Sequence, residues 1–258
     1  EPSGLAITNI MSSSAMVNWF SPTTISSWEF MYGPAGFDTT MANVLTLGDS
    51  YYDMTGLSPN TDYDVYVRAI CPDGRSGWTH ATFSTSCMPI NTFPYTEDFD
   101  TYGTGTTTFP DCWKKISNAT SAPYINSTTA STGLTLPGAL YFYSSSATTY
   151  QYAVLPEMDA NIADLQINLA FKAAMNSVHH LDIGVMTDAN DTSTFELIES
   201  IVPQTAVWNG FTVPFTSYTG TGKFIAFRVL GVTTCYVDHI VVDYVPGCVL
   251  PHNLAADN

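Results

Sequence analysis

Wherever this chain turns apolar, it does so at every second residue, in short runs closed by turn formers. Ala15, Val17 and Trp19 share one face of the run 14–20, and Leu165, Ile167, Leu169 and Phe171 share one face of 165–172. Successive side chains on a strand point to opposite faces, so period two marks half-buried strands. The Ala, Leu and Lys of 165–172 favour helix, but the alternation decides for a strand. The runs 5–10, 14–20, 28–32, 64–70 and 78–83 are predicted strands of a first β-domain. A second, larger set follows at 95–99, 140–143, 151–155, 165–172, 180–186, 195–201, 208–215, 223–229 and 236–244. Breakers at intervals of about 8–12 residues, with no convincing helix, predict an all-β chain: a β-sandwich, then an antiparallel jelly roll.

The stretch Cys87–Asp100 separates the two sets and carries two prolines, Glu97, Asp98 and Asp100. Residues 87–94 are punctuation between domains. Residues 95–100 open the second domain as its first strand, with the strand around Asp238 as partner. The expected domains are 1–87 and 88–247. A third module is expected to start at 248–258, because Pro251-His-Asn-Leu-Ala-Ala-Asp-Asn258 repeats the Pro-x-x-Leu-Ala-x-x-Asn pattern of Pro2–Asn9. Such a repeat suggests a modular array.

Composition excludes several functions. The 258 residues carry only 7 Lys+Arg against 23 Asp+Glu, a formal net charge of −16. Nucleic-acid binding requires a basic footprint that releases counterions, and none exists; anionic membranes are disfavoured likewise. No apolar run reaches the ~18 residues of a spanning helix. The acidic surplus is compatible with Ca²⁺, a hard cation that takes oxygen ligands, and equally with a solvated acidic surface.

The five cysteines, Cys71, Cys87, Cys112, Cys235 and Cys248, form no Cys-x-x-Cys pair, which argues against structural zinc. Cys71 and Cys87 follow the last two strands of the first domain, and a bridge between them is expected. Cys112 is read as a disulfide cysteine. No Gly-x-Ser-x-Gly, His-Glu-x-x-His, phosphate loop or dinucleotide fingerprint occurs. His179 and His180 adjoin, so on a strand they face opposite ways. Asp188–Asp191 lacks the glycine and terminal glutamate of a calcium loop and is read as a turn. A non-enzyme is expected.

One motif is more specific. Leu57-Ser-Pro-Asn-Thr-Asp-Tyr63, followed by Val65 and Val67, has the form of a tyrosine corner. Together with Trp19 it resembles a fibronectin type III domain over residues 1–86. That family implies a spacer or protein-contact module.

The second domain resembles the cleaved-adhesin (gingipain-type adhesin, MAM-like jelly-roll) domains. The resemblance rests on four ordered blocks: Tyr95–Asp100 with Phe109–Trp113, Ile183–Phe195, Tyr218–Arg228 and Tyr236–Val242. The family's usual Asp-Asp-Ile reads Asp238-His239-Ile240 here. The resemblance implies a non-catalytic binding module of a large secreted or cell-surface bacterial protein, directed at a glycan or a host extracellular protein. It also implies a structural Ca²⁺, with Glu97, Asp100 and Asp238 as the matching ligands.

Sugar binding by β-sandwiches uses aromatic faces. Trp208, Tyr150 and Tyr152 are the expected ligand-binding residues, with Tyr141 and Tyr143 as further candidates. The competing reading is a spacer, in contact only with neighbouring modules of the same chain, that holds a distant catalytic domain such as a protease.

Overall fold

The alternating runs become strands because each has one apolar face to bury. The computed structural model of the chain describes residues 1–20, 25–120, 123–127, 134–135, 137–173, 180–203 and 206–247. His179, Cys248 and the repeat at 248–258 lie outside the described residues. The chain divides into two units, Glu1–Met88 and Pro89–Asn258.

Unit 1 contains β1 (Ser3–Thr8), β2 (Ser14–Phe20), β3 (Trp28–Pro34), β4 (Leu45–Leu47), β5 (Tyr51–Thr55), β6 (Asp62–Cys71), β7 (Gly74–Arg75) and β8 (Thr79–Ser84). One sheet runs β1-β2-β5. The other runs β4-β3-β6, with β7 and β8 also paired to β6. The short strands β4, β5 and β7 are additions to the sequence expectation. Ala15, Val17 and Trp19 point into the core, where Trp19 stacks on Phe30 at 6.0 Å and meets Trp28 edge-on at 5.7 Å. The tyrosine corner forms: the Ser58 N–H donates to the Tyr63 hydroxyl at 2.9 Å, and the Tyr63 ring stacks on Phe83. Glu29 is buried in this unit, 7% exposed. It accepts hydrogen bonds from Arg68 and Arg75, each at 2.6 Å, as a buried carboxylate must be paired.

The expected Cys71–Cys87 bridge does not form. Cys71 is a free thiol, whereas Cys87 and Cys112 are disulfide-bonded. The reason is strand direction. β8 runs antiparallel to β6 with Ser84 opposite Asp62, so the residues after β8 return to the start of β6. Cys71 ends that strand, about nine steps of ~3.3 Å away, far beyond disulfide reach.

Unit 2 contains β9 (Tyr95–Glu97), β10 (Lys114–Ser117), β11 (Tyr124–Ser127), β12 (Gly138–Ser144), β13 (Tyr150–Val154), β14 (Leu165–Ala173), β15 (Leu181–Met186), β16 (Glu196–Ile201), β17 (Asn209–Pro214), β18 (Phe224–Leu230) and β19 (Thr233–Tyr244). The strands β10 and β11 were not apparent in the sequence. A front sheet runs β11-β12-β19-β14-β17, with β9 also on β19, and a back sheet runs β10-β13-β18-β15-β16. All pairings between these strands are antiparallel, and the chain crosses repeatedly from sheet to sheet, the jelly-roll layout. Helical structure among the described residues is limited to two 3-10 turns, Ile162–Asp164 and Thr192–Thr194. Leu165, Ile167, Leu169 and Phe171 all face the core between the sheets. β9 pairs with β19, Glu97 opposite Ile240, so the first and last strands of the unit meet as the sequence suggested.

The corner makes a measurable prediction. Tyr63→Phe keeps the ring and deprives the Ser58 N–H of its acceptor. It is expected to cost unit 1 about 1 kcal/mol, read as a lower urea midpoint with the unit 2 transition unmoved. An unchanged midpoint would show that the hydrogen bond contributes nothing net.

Candidate functional site

Two features of unit 2 carry chemistry. The first is a carboxylate cluster where β9 meets β19. Glu97 accepts the Phe99 N–H at 2.8 Å through Oε1 and the Tyr102 hydroxyl at 3.0 Å through Oε2. These bonds fold the chain back at Phe99, which is fully buried at φ +61°, a conformation bulky residues rarely adopt. Asp238 is 0% exposed. It accepts the N–H of His239 at 2.7 Å and both the N–H and the hydroxyl of Thr135. Asp100 accepts the Gly138 N–H at 3.3 Å. Asp98 is exposed and accepts the Asp100 N–H at 3.1 Å.

The cluster is electrostatically strained. Burial raises the Glu97 carboxyl, and the charges of Asp98 and Asp238 push it further. Burial likewise raises Asp238, with the Asp100 charge adding to it. The Asp238 carboxylate thus repels both Glu97 and Asp100. Among the described residues, however, no three His, Cys, Asp or Glu side chains converge tightly enough to cage an ion unaided. Any cation here needs backbone and hydroxyl oxygens as well.

The second feature is an aromatic row across the outer face of the front sheet. Register builds it. Tyr124 pairs with Tyr141, Tyr141 with Tyr236, and Tyr236 with Lys172. Phe171 pairs with Asn209, so Trp208 falls next in line. Ring centroids are 5.3 Å apart for Tyr124–Tyr141, 4.8 Å for Tyr141–Tyr236 and 6.5 Å for Tyr236–Trp208. Tyr143 extends the row along β12, parallel to Tyr141 within 11° at 6.1 Å. The Lys172 ammonium lies 5.9 Å from the Trp208 ring centre. Burial raises the Tyr124, Tyr141 and Tyr236 hydroxyls above their ordinary 10.0, so they stay protonated donors at neutral pH.

Beside Trp208 lies a groove of about 490 Å³. Its floor is the cross-strand pair Ala170–Gly210. Its far wall is Asn168 and Thr212, joined by a 2.6 Å hydrogen bond, and His239 lies at its edge. A Cβ on Gly210 would meet nothing within 4 Å. The groove exists because the two smallest residue types sit opposite one another between larger neighbours.

Of the expected sugar-binding residues, Trp208 belongs to this surface. Tyr150 and Tyr152 do not; both lie on β13 in the back sheet. Tyr152 is only 6% exposed. Phe195 covers it edge-on at 5.5 Å, with the Arg228 guanidinium 4.4 Å from the same Phe195 ring. Tyr152 has no face left for a ligand. Tyr236, Tyr124 and Lys172 were missed from sequence; cross-strand register, which places them beside Tyr141, was the missing information. The Asp188–Asp191 turn is held by its own side chains, with Asp188 accepting the Asn190 N–H and Asp191 the Ser193 N–H.

Residues 1–85 match the model of the fibronectin type III domain family, as the tyrosine corner implied for unit 1. Solved structures similar to the chain include the K1 cleaved adhesin domain of Lys-gingipain from Porphyromonas gingivalis W83 (15% identity, 60% of this chain and 99% of that one, TM-score 0.47). The K2 cleaved adhesin domain of Lys-gingipain is another (14%, 57% and 98%, 0.46). A third is the fn3 domain of the human collagen alpha-1(XX) chain (28%, 36% and 90%, 0.33). No curated protein matches.

The buried carboxylates give the two units opposite acid responses. Burial pushes Glu29 up, but hydrogen bonds from Arg75 and Arg68 outweigh it and hold Glu29 below its ordinary 4.5. That contribution is present above pH 4.5 and is lost on acidification through the lower folded value. Glu97 and Asp238 are raised from 4.5 and 3.8, so the folded state holds their protons longer than the unfolded one. Their penalty is absent below pH 3.8 and grows as pH rises through these values. In chelator, unit 2 is therefore expected to lose stability from these groups between acid and neutral pH while unit 1 gains it from Glu29. Denaturant titrations at several pH values, comparing the parent with Glu97→Gln and Glu29→Gln, test this. Parallel pH profiles for parent and variants would refute it.

Proposed function

We propose that this chain is a non-catalytic adhesion and carbohydrate-binding segment of a large secreted bacterial surface protein, and that it binds through the front sheet of unit 2. The aromatic row that ends at Trp208 and its groove carries this reading. Faces of Tyr and Trp offer apolar area at low entropic cost, with a polar tip for hydrogen bonding. The groove adds the Asn168 amide and the Thr212 hydroxyl. The fibronectin type III match of unit 1 and the resemblance of unit 2 to cleaved adhesin domains both suit a module that binds and does not transform its ligand. No helix of the described residues is long and apolar enough to cross a membrane.

The test is a glycan and matrix-protein array with three proteins: parent, Trp208→Ala and Gly210→Leu. Trp208→Ala is expected to cost about 2 kcal/mol or more of binding, as loss of a central aromatic anchor does. Gly210→Leu should fold normally, because its side chain enters open space, and should block the groove. Silence of the parent across the whole array favours the spacer reading. Binding indifferent to both substitutions moves the site elsewhere.

Calcium forms the second part of the proposal. Glu97, Asp100 and Asp238 supply hard oxygen donors whose repulsion a cation relieves; its structural charge would hold β9 against β19. A ligand at a hundredfold excess over its Kd adds about 2.7 kcal/mol to stability, so Ca²⁺ should raise the melting temperature of chelated protein. Asp238→Asn should abolish that rise and, by removing a buried charge, should not lower the chelated protein's own stability. No response to Ca²⁺ in the parent rejects the metal.

A further inference from the structure

Tyr143 not only extends the aromatic row. It also lines a second cavity, of about 200 Å³, on the far side from the Trp208 groove. This cavity is formed by the turn after β12, Ser144 to Thr149, and by the Asn118–Thr120 segment after β10. Its frame is rigid. The Ser144 hydroxyl donates to Thr149 Oγ1 at 2.7 Å, with both residues buried. Asn118 bridges to the Thr148 carbonyl and accepts the Tyr150 N–H. Apart from Ala119, the remaining lining among the described residues is hydroxyl-bearing side chains, none of them charged. Two cavities of different character are thus joined by an uninterrupted run of rings: Trp208, Tyr236, Tyr141 and Tyr143.

We infer that this run is a track for an extended, uncharged oligosaccharide, with the Trp208 groove and the hydroxyl-lined cavity as its two terminal subsites. The inference rests on the glycan reading above. Each ring-to-ring step, 6.5, 4.8 and 6.1 Å, is about the width of one sugar ring, so a single monosaccharide reaches neither end from the other. Charge selects the neutral class. The net charge is −16; Arg68, Arg75, Lys223 and Arg228 are engaged by Glu29, Glu157 and Asp182, and Lys172, the cation of the row itself, lies over the Trp208 ring. A polyanionic glycan would have to approach a like-charged molecule.

Calorimetry with ladders of neutral glucan, xylan, mannan and chitin oligosaccharides, mono- to hexasaccharide, tests the track, with a heparin hexasaccharide as the anionic comparison. In at least one neutral ladder, affinity should climb about tenfold or more between disaccharide and hexasaccharide. Heparin should not bind. Tyr143→Ala, at an exposed position (44%), and Ser145→Leu, which fills the cavity, should each bind the hexasaccharide no better than the parent binds the disaccharide. Trp208-dependent binding that is already complete with a disaccharide overturns the track and leaves the glycan reading standing. So does a length gain that survives both substitutions. Preference for heparin overturns the neutral class. Silence of the parent on every ladder overturns the track and the glycan reading together.

Discussion

One extra residue in β19 decides where the side chains of unit 2 point. Asn168 pairs with Val241 and Ala170 with Asp238, so two steps along β14 match three along β19. The surplus forms a bulge at His239, which takes a left-handed φ of +52°; His is one of the few side chains that tolerates that region well. Before the bulge, Thr233, Cys235 and Val237 point inward; after it, Ile240 and Val242 do. Without it, a strict alternation would turn Ile240 and Val242 to the opposite face from Val237. The bulge lets both halves of a twelve-residue strand serve one core. It also takes His239 and Ile240 out of the β14 register, just after Asp238, whose buried carboxylate is seated against Thr135 and near Glu97 and Asp100. His239 is turned out to the edge of the groove. The carboxylate cluster and the groove beside Trp208 thus adjoin one insertion, which re-aims the side chains on either side of it.

The two sheets of unit 2 treat their outer faces differently. The back sheet covers itself. Tyr152, Val154, Met186, Ala189 and Ala226 form a satellite core under Phe195, Phe224 and Ile116. Phe195 lies so close to Gly184 that a Cβ there would collide with its ring. The pair Arg228–Asp182, at 2.7 Å, closes the remaining polar gap. The front sheet has no such cover among the described residues, and its outward positions carry the rings of the row together with Asn168, Ala170, Lys172 and Thr212. A sheet that spends aromatic side chains on an uncovered face exposes apolar area, which in a soluble β-protein usually marks a contact surface.

How much could be read from sequence followed burial. β2 and β14 alternate cleanly because one face meets a core and the other does not, and the tyrosine corner was legible because it is a local turn with a fixed spacing. β15 is buried on both faces, and Gln151–Val154 of β13 likewise, so inward and outward lose their meaning there. Tyr152 could not be separated from an exposed tyrosine because Phe195, more than forty positions later, is what buries it. The disulfide expectation failed on strand direction, a tertiary fact. The bulge did leave a trace: apolar residues at 235, 237, 240 and 242 break step once. Tyr236 becomes a binding candidate only when its register with Tyr141 is known.

Charge ties the remaining threads together. The chain carries only 7 Lys+Arg; four of them are ion-paired, Arg68 also lies 4.3 Å from the Trp78 ring centre, and Lys115 lies 5.5 Å from that of Phe109. The consequence is a surface that repels anions over a Debye length of about 8–10 Å at ordinary ionic strength and concentrates cations. Closing β9 onto β19 sets the buried Asp238 carboxylate against Glu97 and Asp100 inside that negative field, a cost that protonation relieves at low pH. The same field disfavours the approach of anions to the aromatic row. The repulsion at the seam and the negative field over the adjoining face thus share one compositional origin, the shortage of lysine and arginine.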